Sequence, residues 1–230
     1  SEPARWRKPA RVFVNSMSDL FHEDVPQAFL ARVFQVMREA PQHTFQILTK
    51  RAARMAVILS ALHDDGREPG SNVWCGVRVE NQEQADLRIP LLLETPGVVR
   101  FLSVEPMLGP VNLFEFIGPS APHGSLQAPA MVDWVIVGGE SGPNARPCNI
   151  EWIRDVVSQC KAAEVPVFVK QLGASCYSTN KADQTAKPIL VDLHDFKGGD
   201  IGEWPADLQI REFPRATTEQ PMNTASRRHG

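Results

Sequence analysis

Six polar clusters in this chain carry the side chains able to hold charge or move protons. They are Asn15-Ser-Met-Ser-Asp19, Thr49-Lys50-Arg51, Arg78-Val-Glu80, Ser103-Val-Glu105-Pro, Gly138-Gly-Glu-Ser-Gly142 and Lys170-Gln171. Each directly follows an apolar run. A single polar end means little, because loops are polar anyway. Six in order, mixing carboxylates, cations and amides, point to a functional rim. Lys50, Arg78 and Lys170 suit a carboxylate or a phosphate. Glu140 suits an amine or the hydroxyls of a ribose. Gly138 and Gly139 let a ligand approach the backbone closely. Glu80 and Glu105 offer paired carboxylates for acid–base work. The alternative is structural: such groups also pair with one another around a rim. Glu105, which precedes Pro106, also reads as a turn residue.

Other chemistries find less support. His22-Glu23-Asp24 gathers three ligand types. Adjacent residues rarely converge on one ion, and acids ahead of a helix favour its dipole, so no metal site is expected. The glycines form neither a dinucleotide fingerprint nor a P-loop, and no nucleophile elbow is present. The four cysteines, Cys75, Cys148, Cys160 and Cys176, show no CxxC spacing. Cys75 and Cys160 read as small buried hydrophobes. Scattered thiols of this kind do not make a secreted disulfide scaffold.

The elements that must position the rim are short β-rich runs alternating with helical patterns. The runs cover 11–15, 44–49, 72–79, 98–103, 134–137 and 167–169. A helix is expected from about Pro26, with Phe29, Leu30, Val33, Phe34 and Met37 on one apolar face. The next carries Met55, Ile58, Leu59 and Leu62 and stops at Gly66. A third carries Ala85, Ile89 and Leu92, and Pro90 is expected to kink or break it. A fourth starts near Ile150 and carries Ile153, Val156, Val157 and Cys160. The polar strand ends recur roughly every 30 residues, the length of a βαβ unit. Continuously apolar strands suit a sheet buried on both faces. The fold class is therefore α/β, a parallel (βα) barrel or a partial TIM-like barrel, in which ligands bind at the carboxyl ends of the strands.

Residues 108–131, rich in Gly, Pro, Ala and Ser, read as an irregular loop with a short helix at most. The stretch 204–210 has enough apolar content to pack back onto the body. A single domain is expected over 1–214, followed by a disordered tail over 215–230. The chain has 230 residues, which suits one such barrel. Its 43% hydrophobic and 22% charged content is ordinary. A net charge of −3 argues against a strongly electrostatic nucleic-acid binder and leaves room for a local basic cleft. No stretch is apolar enough to span a membrane and no signal peptide is seen, so a cytoplasmic protein is expected. The chain opens at Ser1 without Met, which suggests a processed end, an artificial end or a fragment.

Six segments together carry a resemblance. They are Phe13-Val-Asn-Ser-Met-Ser-Asp-Leu-Phe-His22, Phe45-Gln-Ile-Leu-Thr-Lys-Arg51, Asn72-Val-Trp-Cys-Gly-Val, Arg100-Phe-Leu-Ser-Val-Glu-Pro106, Trp134-Val-Ile-Val-Gly-Gly-Glu-Ser-Gly142 and Phe168-Val-Lys-Gln171. The chain resembles the phage-associated three-Cys-motif family, the phage Gp37/Gp68-like domain of unknown function, from about residue 6 to residue 214. The resemblance implies a radical-SAM-like barrel, S-adenosylmethionine and a 4Fe-4S iron–sulfur cluster as cofactors, and a partner protein encoded nearby. It also exposes a departure. The family's cysteine segment precedes the strand of Phe13, and this chain lacks it, so a fragment without the N-terminal strand and cluster loop is expected. Cys75, Cys148, Cys160 and Cys176 do not replace those ligands.

On this reading Lys50, Arg78, Gly138, Gly139, Glu140 and Ser141 face S-adenosylmethionine. Asn15, Ser16, Asp19, Glu80, Glu105 and Lys170 line the substrate cavity. The alternative is a non-catalytic module that binds a nucleotide, nucleic acid or protein. An ordinary hydrolase or lyase using Glu80 and Glu105 ranks last.

Overall fold

The structure, a computed structural model, describes residues 2–96, 99–118, 130–179 and 187–214. In chain order the elements are β1 (Arg11–Val14), α1 (Gln27–Arg38), β2 (Thr44–Thr49), α2 (Ala52–Asp64), β3 (Val73–Arg78), α3 (Gln82–Glu94), β4 (Val99–Val104), β5 (Trp134–Gly138), β6 (Cys148–Asn149), α4 (Ile150–Ala162), β7 (Val167–Gln171), β8 (Cys176–Ser178) and β9 (Ile189–Leu190). Six strands form one parallel sheet in the order β1-β2-β3-β4-β5-β7. The sheet curls into a half-barrel. This agrees with the expectation of an α/β partial barrel. β6, β8 and β9 make a small second sheet that sequence periodicity did not reveal, because strands of two or three residues show no period.

Alternation along the strands divides the sheet into two faces. Val73, Cys75 and Val77 of β3 join the helices in the main core. Trp74 points the other way, into a second cluster with Val99, Phe101 and Trp134, flanked by Leu48, Ile136 and Phe168. That aromatic cluster fills the lower concave face. Phe101 is fully buried, and a Cβ at Gly76 would lie 2.5 Å from its ring. Phe213 closes the floor, with its ring 5.2 Å from those of both Trp134 and Phe168. The Arg11 guanidinium of β1 lies 3.8 Å over the other side of Phe213. The returning chain thus links the two ends of the half-barrel.

The helices follow their apolar stripes. α2 buries Met55, Ile58, Leu59 and Leu62. It ends in a Schellman motif: Gly66, at φ +65°, donates to His63 O, and Arg67 N donates to Leu62 O. α4 starts at Ile150, capped by the Asn149 side chain on Glu151 N. α3 corrects an expectation, because it runs unbroken through Pro90. The bond lost at Pro90 falls on the outer face of the helix, where Asp86 and Pro90 are both exposed. Buried Ala85, Ile89 and Leu92 hold the helix on both sides of the ring. Phe29 also departs from its expected place, being 54% exposed while Leu30, Phe34 and Met37 are buried.

In the irregular crossover, Val111, Leu113 and Ile117 are buried. The Gln159 side chain of α4 accepts from Leu113 N and donates to Val111 O. Trp204 and Leu208 pack into the main core, as expected of that segment. The expected tail over 215–230 lies outside the described residues. Among the described residues, no helix is long and apolar enough to cross a membrane.

Gly76→Ala should destabilise the fold by about 1–3 kcal/mol, since the added methyl must displace a fully buried ring. Urea denaturation measures this directly. An unchanged midpoint would show that Phe101 is free to move.

Candidate functional site

The concave face changes character at the C-terminal ends of its strands. Below lies the aromatic floor. Above it lie Arg78 and Ser103, paired across β3 and β4, with Asn15, Glu105 and Lys170 at or just beyond the ends of β1, β4 and β7. A cleft of about 420 Å³ opens at the ends of β1, β2 and β3. Asn15, Ser16, Asp19, Lys50 and Arg78 line it, together with Phe13 and Leu48. The fold therefore brings together members of both residue sets expected from sequence.

Asp19 organises one wall. Its carboxylate accepts from Thr49 Oγ1 at 2.7 and 2.9 Å, from the backbone N–H of Phe21 and Lys50, and from Arg51. Burial alone would raise this carboxyl. The hydrogen bonds outweigh burial and hold it below its ordinary value. Asn15 adopts φ +55° and opens the turn that carries Asp19 back to β2. The acids of 22–24 lie on the outer side of this loop. Glu23 lies 3.9 Å from Arg51, and Asp24 lies 3.5 Å from His22.

Glu80 sits between two cations. Lys50 Nζ approaches it at 2.5 Å and Arg88 at 2.9 Å. Burial pushes its carboxyl up, and the two partners push it down further, so it stays ionised below the ordinary value of 4.5. Glu105 forms a separate pair with Lys170, at 3.0 Å from both carboxylate oxygens. Its peptide bond to Pro106 is cis. Glu140 is gripped by Arg146 through Nε at 2.7 Å, Nη2 at 2.9 Å and the backbone N–H. Those bonds hold its carboxyl down at about 2.

Gly138 and Gly139 pack closely against the chain's own backbone. A Cβ at Gly139 would lie 2.1 Å from Leu172 O, and one at Gly138 would lie 2.8 Å from Gln171 O. The close approach is made by the chain's own backbone. Gly139 N donates to Gln171 O there, and the Gln171 side chain donates to Gly139 O. Ser141 is exposed beside the Glu140–Arg146 pair. These groups do not line the cleft that holds Lys50 and Arg78.

Arg78 stands apart. Its carbonyl accepts from Arg88, but among the described residues its guanidinium has no carboxylate within ion-pair distance. Lys50, Arg51, Arg88, Arg146 and Lys170 each have one. Sequence reasoning missed Arg51, Arg88 and Arg146 as partners. Arg88 is two helical turns beyond Glu80, and Arg146 lies across a loop from Glu140, so only folding makes them neighbours. Phe13 carried a readable signal, since it precedes Asn15 by one strand period.

The cysteines do not fit an iron–sulfur cluster. Cys75 lies on β3 and Cys160 on α4, while Cys148 and Cys176 are opposite each other across β6 and β8. Burial pushes the thiols of Cys75, Cys148 and Cys160 up to about 12, far from thiolate ligands. Among the described residues, no three His, Cys, Asp or Glu side chains gather to hold a metal ion.

Fold and site define an α/β half-barrel protein with a cationic cleft at the carboxyl ends of its strands. Residues 1–199 match the family of proteins of unknown function DUF5131, and the chain belongs to that family. No curated protein and no solved structure matches it.

Glu80→Gln should destabilise the protein by about 2–3 kcal/mol, because the largely covered guanidinium of Arg88 is left without its counter-charge. The folded carboxyl titrates below its ordinary value. Its contribution is therefore present above pH 4.5 and lost as the pH falls through the folded value. Urea midpoints measured down an acid series should fall less steeply in Glu80→Gln than in the parent protein. Equal slopes would remove Glu80 from the acid response.

Proposed function

We propose that the chain is the ligand-binding half-barrel of a radical-SAM-like protein. Its cleft takes a nucleoside-type molecule bearing a carboxylate or phosphate, a class that includes S-adenosylmethionine. The observation that carries this reading is Arg78, the cleft's unmatched cation beside pairs that are all matched. A guanidinium grips a carboxylate or phosphate through two parallel hydrogen bonds. Lys50, held by Glu80, adds a second positive group. Phe13, 44% exposed, and Leu48 offer an apolar surface for a ring. Asn15 and Ser16 supply partners for ribose hydroxyls. A volume of about 420 Å³ suits a small molecule of this size.

The cysteines favour a second reading, a non-catalytic nucleotide-binding module. Their buried, protonated thiols suit packing, and binding at Arg78 needs no redox group. The two readings share one site and differ in the ligand it prefers.

Calorimetric titration with S-adenosylmethionine, AMP and adenosine tests the site. Both charged ligands should bind more tightly than adenosine, and Arg78→Ala should weaken them about tenfold or more, the worth of a charged hydrogen bond. Preference for S-adenosylmethionine supports the radical-SAM-like reading, and preference for AMP supports the second. Equal binding of adenosine, or an unchanged Arg78→Ala, would overturn both.

A further inference from the structure

The two edges of the sheet are treated differently. The outer edge of β7 is covered by the returning chain: Val169 N donates to Ile210 O at 2.9 Å, and Glu212 N to Val167 O at 3.0 Å. The outer edge of β1 is open. Arg11 pairs with Thr44, whose N–H donates to Ala10 O. In a parallel ladder this turns the peptide groups of Val12 towards β2 and those of Arg11 and Phe13 outwards. Among the described residues, no backbone bond reaches the N–H or C=O of Arg11 or Phe13. An open edge of this kind is a template for another strand.

A groove of about 510 Å³ runs beside this edge, between β1 and α1. Val12, Val14, Phe29, Val33 and Val36 line it, and Arg32 is the only charged residue among its lining. This explains the exposure of Phe29, since the sheet supplies no neighbour to cover it. Pro3 borders the groove. From there Arg5, Arg7, Lys8 and Arg11 lead into β1, all exposed. Among the described residues none of these four, nor Arg32, forms an ion pair. The segment is anchored: Ala10 N donates to Nδ1 of buried His43, and His43 Nε2 lies 3.0 Å from Pro3 O.

We propose that the β1 edge and its groove bind an extended segment of a partner protein in which apolar and acidic residues alternate. The segment adds a strand to the sheet, sets its apolar side chains in the groove and, by the alternation of a strand, turns its carboxylates to the opposite face, towards the cations before β1. Charge argues against a second copy of this chain, which would set arginine against arginine across the same edge. Phe13 and Asn15 line both this groove and the ligand cleft. The added strand therefore forms the missing wall of that cleft.

Fluorescence anisotropy with the full chain and a labelled decapeptide of alternating Val and Glu tests the proposal. A Val–Lys decapeptide and a Gly–Glu decapeptide serve as controls. The Val–Glu peptide should bind at least fivefold more tightly than either control and should slow amide exchange at Arg11 and Phe13. Arg7→Glu combined with Lys8→Glu should weaken it at least fivefold while leaving adenosine-type ligands unaffected. Equal binding of the three peptides, or protection elsewhere, overturns the proposal. Protection of Arg11 and Phe13 without peptide overturns it too. If that protection grows with protein concentration, the edge belongs to a second copy. If it appears only in a longer polypeptide carrying this chain, the edge belongs to a neighbouring segment of that polypeptide.

Discussion

Phe101 lies in the space a side chain at position 76 would need, and the concave face is organised around that contact. Because position 76 is glycine, the ring settles against the backbone of β3 and packs beside Trp134. The lower half of the concavity is thereby filled with aromatic rings and Phe213. Charged side chains of the sheet's concave face gather at the carboxyl ends of its strands, above these rings. The same packing puts a low-dielectric floor beneath the rim, where charges interact more strongly than in bulk water.

The rim answers that environment by pairing. Asp19, Glu80, Glu105 and Glu140 each meet a cation drawn from another part of the chain. Exposed pairs such as Glu140–Arg146 hold loops in register and are weakened by solvent screening. The Glu80–Arg88 pair is more deeply set, so loss of either partner strands the other. Against this pattern the guanidinium of Arg78 stands out, because a rim cation without a counter-charge gains most from an anion brought by a ligand.

The half-barrel also leaves an imbalance between its ends. The returning chain covers β7 and then crosses beneath the concavity to Arg11. It braces β1 from inside and leaves the outer peptide groups of that strand unpaired. The ligand cleft lies beside this open strand, and Phe13 belongs to both surfaces. Binding at the edge and binding in the cleft therefore share a wall.

The strand–helix alternation, the parallel sheet and the place of the rim were determined by the sequence. Periods of two and of 3.6 residues are local properties of a chain, and a run such as 44–49 or a stripe such as Met55, Ile58, Leu59 and Leu62 states its own structure. Glu80, Glu105, Glu140 and Lys170 were likewise readable as strand ends. Their partners were not. Arg88 meets Glu80 only once α3 packs on β3, and Lys170 meets Glu105 across 65 residues. That residues 171–173 stand where a side chain at 138 or 139 would be was likewise beyond the sequence. Pro90 looked like a break, and the packing of Ile89 and Leu92 overrode it. Which cation remains free, and which edge remains open, depends on distances between segments far apart in the chain, and only the folded structure decides those distances.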